Sequence, residues 1–291
     1  MRTEQEMMKT ILDIAENDER IRAVYMNGSR VNANAPKDNY RDYDIVYVVT
    51  ETESFIADKD WITKFGNPLI IQEPDLNDNF AGYSGEFHDF SKSYAWLILF
   101  DDGNRIDLGI ALKMEAANNF LDDKLTLILL DKDGLLPQIP EPSDEDYHIQ
   151  KPIEGHFLAC CNNFWWCLNN VAKGIARDEL SYVKYMLDSV VRSELHTMIN
   201  WYIGSQKGFA LSTGKLGKYF KKHLADEIYQ CYCQTYCGSD YKDIWTSIFT
   251  MSDLFHSLAL SVAKHFGYTY RQCEEDGMRV YLCKVKEDCS K

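Results

Sequence analysis

Apolar residues recur every three or four positions through residues 5–17, at Met7, Met8, Ile11, Leu12 and Ala15. That period predicts an amphipathic helix. The texture then changes to short runs rich in β-branched and aromatic residues, bounded by turn formers. "RIRAVYMNGS" and "DYDIVYVVT" predict two strands joined by the loop "NANAPKDNYR", and "NPLIIQEP" predicts a third strand between prolines. "SYAWLILFDDGNRIDLGIALKM" predicts a hairpin, because two apolar runs flank Asp101-Asp102-Gly103-Asn104, with Gly103 where a positive φ is needed. A helix near Glu115–Leu121 and a strand in "LTLILLDKDG" come next. "LPQIPEPSDED" then holds three of the seven prolines and a run of acids, the composition of a linker. Beyond it the pattern is helical. "FLACCNNFWWCLNNVAKGIARDELSYVKYMLDSVVRSELHTMINWYIG" predicts at least two long helices and "DIWTSIFTMSDLFHSLALSVAKHFG" another. The chain therefore divides into an α/β domain over 1–138, a linker over 139–149 and an α-helical domain over 150–291. A length of 291 residues fits two cores better than one.

One strand breaks the apolar rule. "DYDIVYVV" opens with Asp42 and Asp44, whose side chains share a face because a strand alternates. Two residues span roughly 6.6 Å, so the carboxylates can converge on cations about 3.5–4 Å apart. Without a cation, two like charges 4 Å apart repel by about 4 kcal/mol at an effective dielectric near 20. Of the neighbouring residues, Arg41 is placed to offset one of them. Asp107 is the third candidate, an acid between Ile106 and Leu108 in the second arm of the hairpin. Each acid alone is also compatible with the wet edge of a sheet. Taken with the upstream Gly28-Ser29, the three favour a metal site. Mg²⁺ is the expected ion, since it binds through few carboxylates plus substrate phosphates. Gly28 would let the backbone approach closely, and Ser29 would offer an N–H and a hydroxyl to a phosphate.

Charge narrows the partners. A net charge of −14 leaves no basic footprint for nucleic acid and favours a cationic small substrate. No apolar run approaches the ~20 residues of a membrane span, and the N-terminus has no hydrophobic leader, so a cytoplasmic location is expected. Nine irregularly spaced cysteines are read as reduced thiols, and the seven scattered histidines form no zinc-hydrolase motif.

Gly28-Ser29 at a strand end, Asp42-x-Asp44 on the next strand and Asp107 on a later one resemble the nucleotidyltransferase superfamily of the DNA polymerase β type. Further segments, "NDERIRAV", "GSR", "RDYDIVYVVTETESF", "LFDDGNRIDL", "LLDKDG", "CCNNFWW", "VAKGIARDE" and "SQKGFALSTGK", are similar to the bacterial aminoglycoside 6-adenylyltransferases, the streptomycin-inactivating enzymes. The resemblance implies an α+β chain: a nucleotidyltransferase domain with a mixed sheet flanked by helices, followed by an α-helical bundle. It implies transfer of AMP from ATP to the 6-hydroxyl of streptomycin with release of pyrophosphate. Two Mg²⁺ ions would sit at Asp42 and Asp44, with Asp107 as general base or as a further metal ligand. Gly28, Ser29 and Arg30 would meet the nucleotide.

The helical domain is expected to close the cleft. Along Arg177–Trp201, Leu180, Val183, Leu187, Val190, Val191, Leu195 and Met198 form a core stripe. Asp178, Tyr182, Tyr185, Asp188 and Arg192 form a second stripe, which is either an ordinary wet face or a cleft lining. Streptomycin carries two guanidinium groups, which Asp178, Glu179 and Asp188 would pair with and Trp165, Trp166, Tyr182 or Tyr185 would stack on. Arg192, Lys215 and Lys218 are candidates for the triphosphate. Transfer to a protein or RNA acceptor, and a non-catalytic nucleotide-binding module, are the alternatives.

Overall fold

The computed structural model describes residues 1–82, 87–120 and 122–289. It falls into two compact units, Met1–Asp146 and Tyr147–Lys291. Part of the stretch expected as linker is tied to the first unit: the Ser143 N–H donates to the Lys124 carbonyl, and Asp144 accepts from the Asn34 amide.

The first unit is built on one sheet. Strands Ile21–Asn27 (β1), Tyr43–Val49 (β2), Pro68–Gln72 (β3), Ser93–Phe100 (β4), Arg105–Leu112 (β5) and Thr126–Asp131 (β6) lie in the order β3-β4-β5-β2-β1-β6. β2 and β5 run parallel, and the remaining neighbours are antiparallel, so the sheet is mixed. Helices Glu4–Asn17 (α1), Glu53–Ala57 (α2), Pro74–Ala81 (α3) and Lys113–Asn119 (α4) complete the unit. The helix expected near Glu115–Leu121 is α4, and Leu121 itself lies outside the described residues.

Strand alternation sorts side chains between two cores. Tyr43, Ile45, Tyr47, Ile106, Leu108 and Ile110 pack on one face with Met7 and Ile11 of α1. Thr3 caps α1 in a capping box with Glu6, and the Tyr47 hydroxyl donates to the Ile11 carbonyl at 2.6 Å. On the opposite face Ala23, Tyr25, Val48 and Ala111 pack with Ala116 and Phe120. Even-numbered residues of β2 and odd-numbered residues of β5 point to that second face. Asp44 and Asp107 are among them, near the starts of β2 and β5. Gly103 takes φ +82° in the β4–β5 turn, as the hairpin requires.

The second unit is helical: Glu154–Ala176 (α5), Leu180–Tyr185 (α6), Arg192–Lys207 (α7), Phe220–His223 (α8), Asp226–Gln234 (α9), Tyr241–Phe266 (α10) and Gln272–Cys289 (α11). Its core centres on α5, α7 and α10, with Phe164 stacked on Phe255 at 3.8 Å. Residues Met186–Val191 form a π turn between α6 and α7. Among the described residues, no helix is long and apolar enough to cross a membrane.

Candidate active site

Parallel pairing of β2 with β5 puts Asp44 directly opposite Asp107. Both point to the same face. Antiparallel pairing of β1 with β2 puts Asn27 opposite Asp44, so the turn that leaves β1 begins beside this carboxylate. Gly28 opens that turn with φ +78°. A Cβ built on Gly28 would lie 2.2 Å from one Asp44 oxygen, so the backbone approaches the carboxylate closer than any other residue type allows. The Gly28 N–H donates to the Leu125 carbonyl, which ties the turn to the residue before β6. Ser29 and Arg30 complete a single 3₁₀ turn. Thus Gly28-Ser29, Asp44 and Asp107 are held by three adjacent strands, and Asp42 lies one residue before β2.

The acids are electrostatically linked. Burial, and then the nearby Asp107 and Asp42 charges, push the Asp44 carboxyl up from 3.8 to about 6. The counter-ion is Arg105. Its Nε and Nη2 donate to the two Asp107 oxygens at 2.7 Å each, and its Nη1 stands 3.5 Å from Asp42 Oδ2. Arg41, expected to offset one of Asp42 and Asp44, pairs with Glu4 at 3.4 Å. The reason is geometric: residue 41 lies just before the strand, whereas Arg105 and Asp107 sit two apart on one strand and share a face. Sequence reading missed Arg105, although its R-x-D spacing repeats the logic applied to Asp42-x-Asp44.

Arg30 has a structural place. Its guanidinium lies over the Tyr43 ring at 3.5 Å, and its Nε and Nη2 donate to the carbonyls of Asp42 and Arg41. The side chain is only 4% exposed and pairs with Glu4. These bonds fix the backbone that carries Asp42.

A divalent ion suits this donor set. Three hard carboxylates come from neighbouring backbone positions, the Gly28 backbone leaves room on one side, and a positive group already bridges two of them. Among the described residues no three His, Cys, Asp or Glu side chains are already grouped to hold a metal ion. Here the Arg105 guanidinium stands between Asp42 and Asp107, and a metal would require their side chains to turn from it.

The other expected site residues lie in the second unit. Asp178 is exposed, adopts φ +58° and accepts from the Tyr241 hydroxyl at 2.8 Å. Tyr182 and Tyr185 are exposed. Asp188 is held by Lys184 at 2.8 Å and Arg192 at 3.0 Å. Arg192, expected on the outer stripe, is buried. It donates to the Thr235 hydroxyl and carbonyl at 2.7 and 2.9 Å and lies over Tyr236. The core stripe keeps its phase beyond the π turn, with Val191, Leu195 and Met198 buried, and Arg192 turns inward because Thr235 and Tyr236 meet its guanidinium there. Trp165 is packed in the core and its indole donates to the Tyr270 hydroxyl, whereas Trp166 is 66% exposed. Lys215 and Lys218 are exposed on the loop before α8.

A mixed sheet carrying a Gly-Ser turn against two strand-borne carboxylates and a third just before a strand has the form of a nucleotidyltransferase. Residues 1–285 match the streptomycin adenylyltransferase family, and the chain belongs to that family. It is similar to the aminoglycoside 6-adenylyltransferase of Bacillus subtilis strain 168, with 38% identity over 98% of this chain and all of that protein. It is also similar to the enzymes of the same name from Campylobacter jejuni (37%, 94% of this chain and 93% of that one) and Staphylococcus aureus (32%, 95% and 96%). A crystal structure of an aminoglycoside 6-adenyltransferase from Bacillus subtilis aligns at 33% identity over 98% of this chain and 99% of that one, with a TM-score of 0.48. The chain is thus an enzyme of the adenylyltransferase class, which implies ATP as co-substrate and a divalent metal ion.

Proposed function

We propose that this enzyme transfers AMP from ATP to the 6-hydroxyl of streptomycin and releases pyrophosphate, and so confers resistance to that antibiotic. The observation that carries the reading is the meeting of Asp44 with Asp107 across parallel strands, with the Gly28 backbone packed on the Asp44 carboxylate. In this reading Asp42, Asp44 and Asp107 hold two Mg²⁺ ions. Bound Mg²⁺ supplies charge neutralisation of the triphosphate and favours attack by a hydroxyl oxygen. The residues do the rest. The Ser29 N–H and hydroxyl hold a β- or γ-phosphate beside the Gly28 backbone. Arg30 keeps Asp42 in register. Asp107 accepts the proton of the attacking hydroxyl. The hydroxyl oxygen bonds to the α-phosphorus as the bond to the pyrophosphate oxygen breaks.

Recognition of the cationic antibiotic falls to the helical unit. Asp178 and Asp188 pair with the two guanidinium groups, and Tyr182 stacks on one of them. The π turn that carries Asp188 supports this assignment, since such insertions concentrate at functional sites. Trp166 replaces Trp165 as the second stacking ring, because Trp165 packs inside. Lys215 is retained for the triphosphate, and Arg192 is assigned to holding Asp188.

Mass spectrometry of streptomycin after incubation with ATP and Mg²⁺ tests the reading. A product heavier by one AMP, formed with one pyrophosphate and abolished by Asp44→Asn, is expected. An unmodified antibiotic would overturn the choice of acceptor. A product formed equally well by Asp44→Asn would overturn the site.

A further inference from the structure

Arg105 is bonded unlike Arg30. Arg30 is buried and donates to backbone carbonyls, which gives it a fixed place. Among the described residues Arg105 donates only to a carboxylate, Asp107, and stands by a second, Asp42. Its side chain is 42% exposed, so it can turn into solvent without opening the core. The two carboxylates it joins are those the reaction needs for other work, and Asp107 offers it both oxygens.

We propose that Arg105 is an exchangeable counter-ion. In the metal-free enzyme it gathers Asp42 and Asp107 and keeps them from repelling. When the nucleotide and its metal arrive, Arg105 leaves the carboxylates, because like charges a few ångströms apart repel. Its planar fork then pairs with a phosphate oxygen, a partner suited to guanidinium geometry. The exchange frees Asp107 to receive the proton of the acceptor hydroxyl. Arg105 is therefore first a latch on the acids and then a phosphate ligand. Entry of metal without nucleotide is opposed, since Arg105 then has no anion to move to. This inference rests on the reading of the three acids as the metal-holding set.

The test uses the full chain and Mn²⁺, whose free form is counted by electron paramagnetic resonance. Wild type, Arg105→Met and Arg105→Lys are titrated with Mn²⁺ alone, then with Mn²⁺ and α,β-methylene-ATP, which cannot transfer AMP. Removing the competing charge should let Arg105→Met bind Mn²⁺ alone about tenfold tighter than wild type or more. The same variant should bind the nucleotide analogue about tenfold more weakly, for loss of the phosphate contact. Arg105→Lys, which keeps the charge and loses the fork, should fall between on both measures, and it carries the test if the Met variant does not fold. Unchanged or weaker Mn²⁺ binding by Arg105→Met would overturn the latch. Unchanged analogue affinity would overturn the move to phosphate. If wild type with the analogue takes up no Mn²⁺, the metal reading itself falls, and the proposal with it.

Discussion

Gly28→Ala separates what a backbone shape does for the fold from what it does for the acids. The native φ of +78° is one that an L-residue occupies at a cost of roughly 1–2 kcal/mol. The added methyl group would also stand 2.2 Å from Asp44 Oδ2 and 3.0 Å from its Cγ. Those atoms cannot remain, so the carboxylate must turn or β1 and β2 must part by about an ångström. Gly134 is the control. It has φ +63° with nothing within 4 Å of a built Cβ, in the turn after β6. Gly134→Ala therefore bears the conformational cost alone. Gly134→Ala should lose about 1–2 kcal/mol in urea unfolding, and Gly28→Ala more than that. Gly134→Ala should keep wild-type turnover. Gly28→Ala should lose about 100-fold in pyrophosphate release at saturating ATP and streptomycin, the scale of a 1 Å misplacement. Equal turnover in the two variants would refute the claim that Gly28 is there for the Asp44 carboxylate.

Asp44→Asn should abolish transfer yet stabilise the metal-free fold. The Asp44 carboxyl is raised from 3.8 to about 6, so wild-type stability falls as pH rises through that window. Removing the charge should restore roughly 2–3 kcal/mol at pH 8, measured by chemical unfolding without metal; a destabilised variant would contradict it. His196 is lowered from 6.5 to about 4, first by burial and then by the Arg192 charge. Its contribution is therefore complete above pH 6.5 and is lost as pH falls toward 4, and a melting curve of His196→Gln should be flatter over that range. Phe164→Ala removes a fully buried ring stacked on Phe255 and should cost about 3–5 kcal/mol in unfolding of the helical unit. Asp188→Asn should raise the KM for streptomycin several-fold with the KM for ATP unchanged, read from initial rates; equal effects on both would place Asp188 in folding alone.

The strands were legible because each carries its own alternation between turn formers, and the acids stood out as breaks in it. Their partners were not. Asp44 meets Asp107 only because β2 and β5 pair in parallel in one particular register, a long-range choice that no local window contains. The same limit hid Arg105. Reading outward from Asp42 leads to Arg41, the covalent neighbour, while the sheet brings a guanidinium from β5. In the helical unit the departure is that of one side chain and not of helix phase. The core stripe holds past the π turn to Leu195 and Met198, yet Arg192 turns inward to Thr235 and Tyr236, partners that follow α9. Burying that guanidinium requires partners for its N–H groups, and Asp188 is one of them. The buried cation thus fixes the orientation of a carboxylate at the helix surface one turn away.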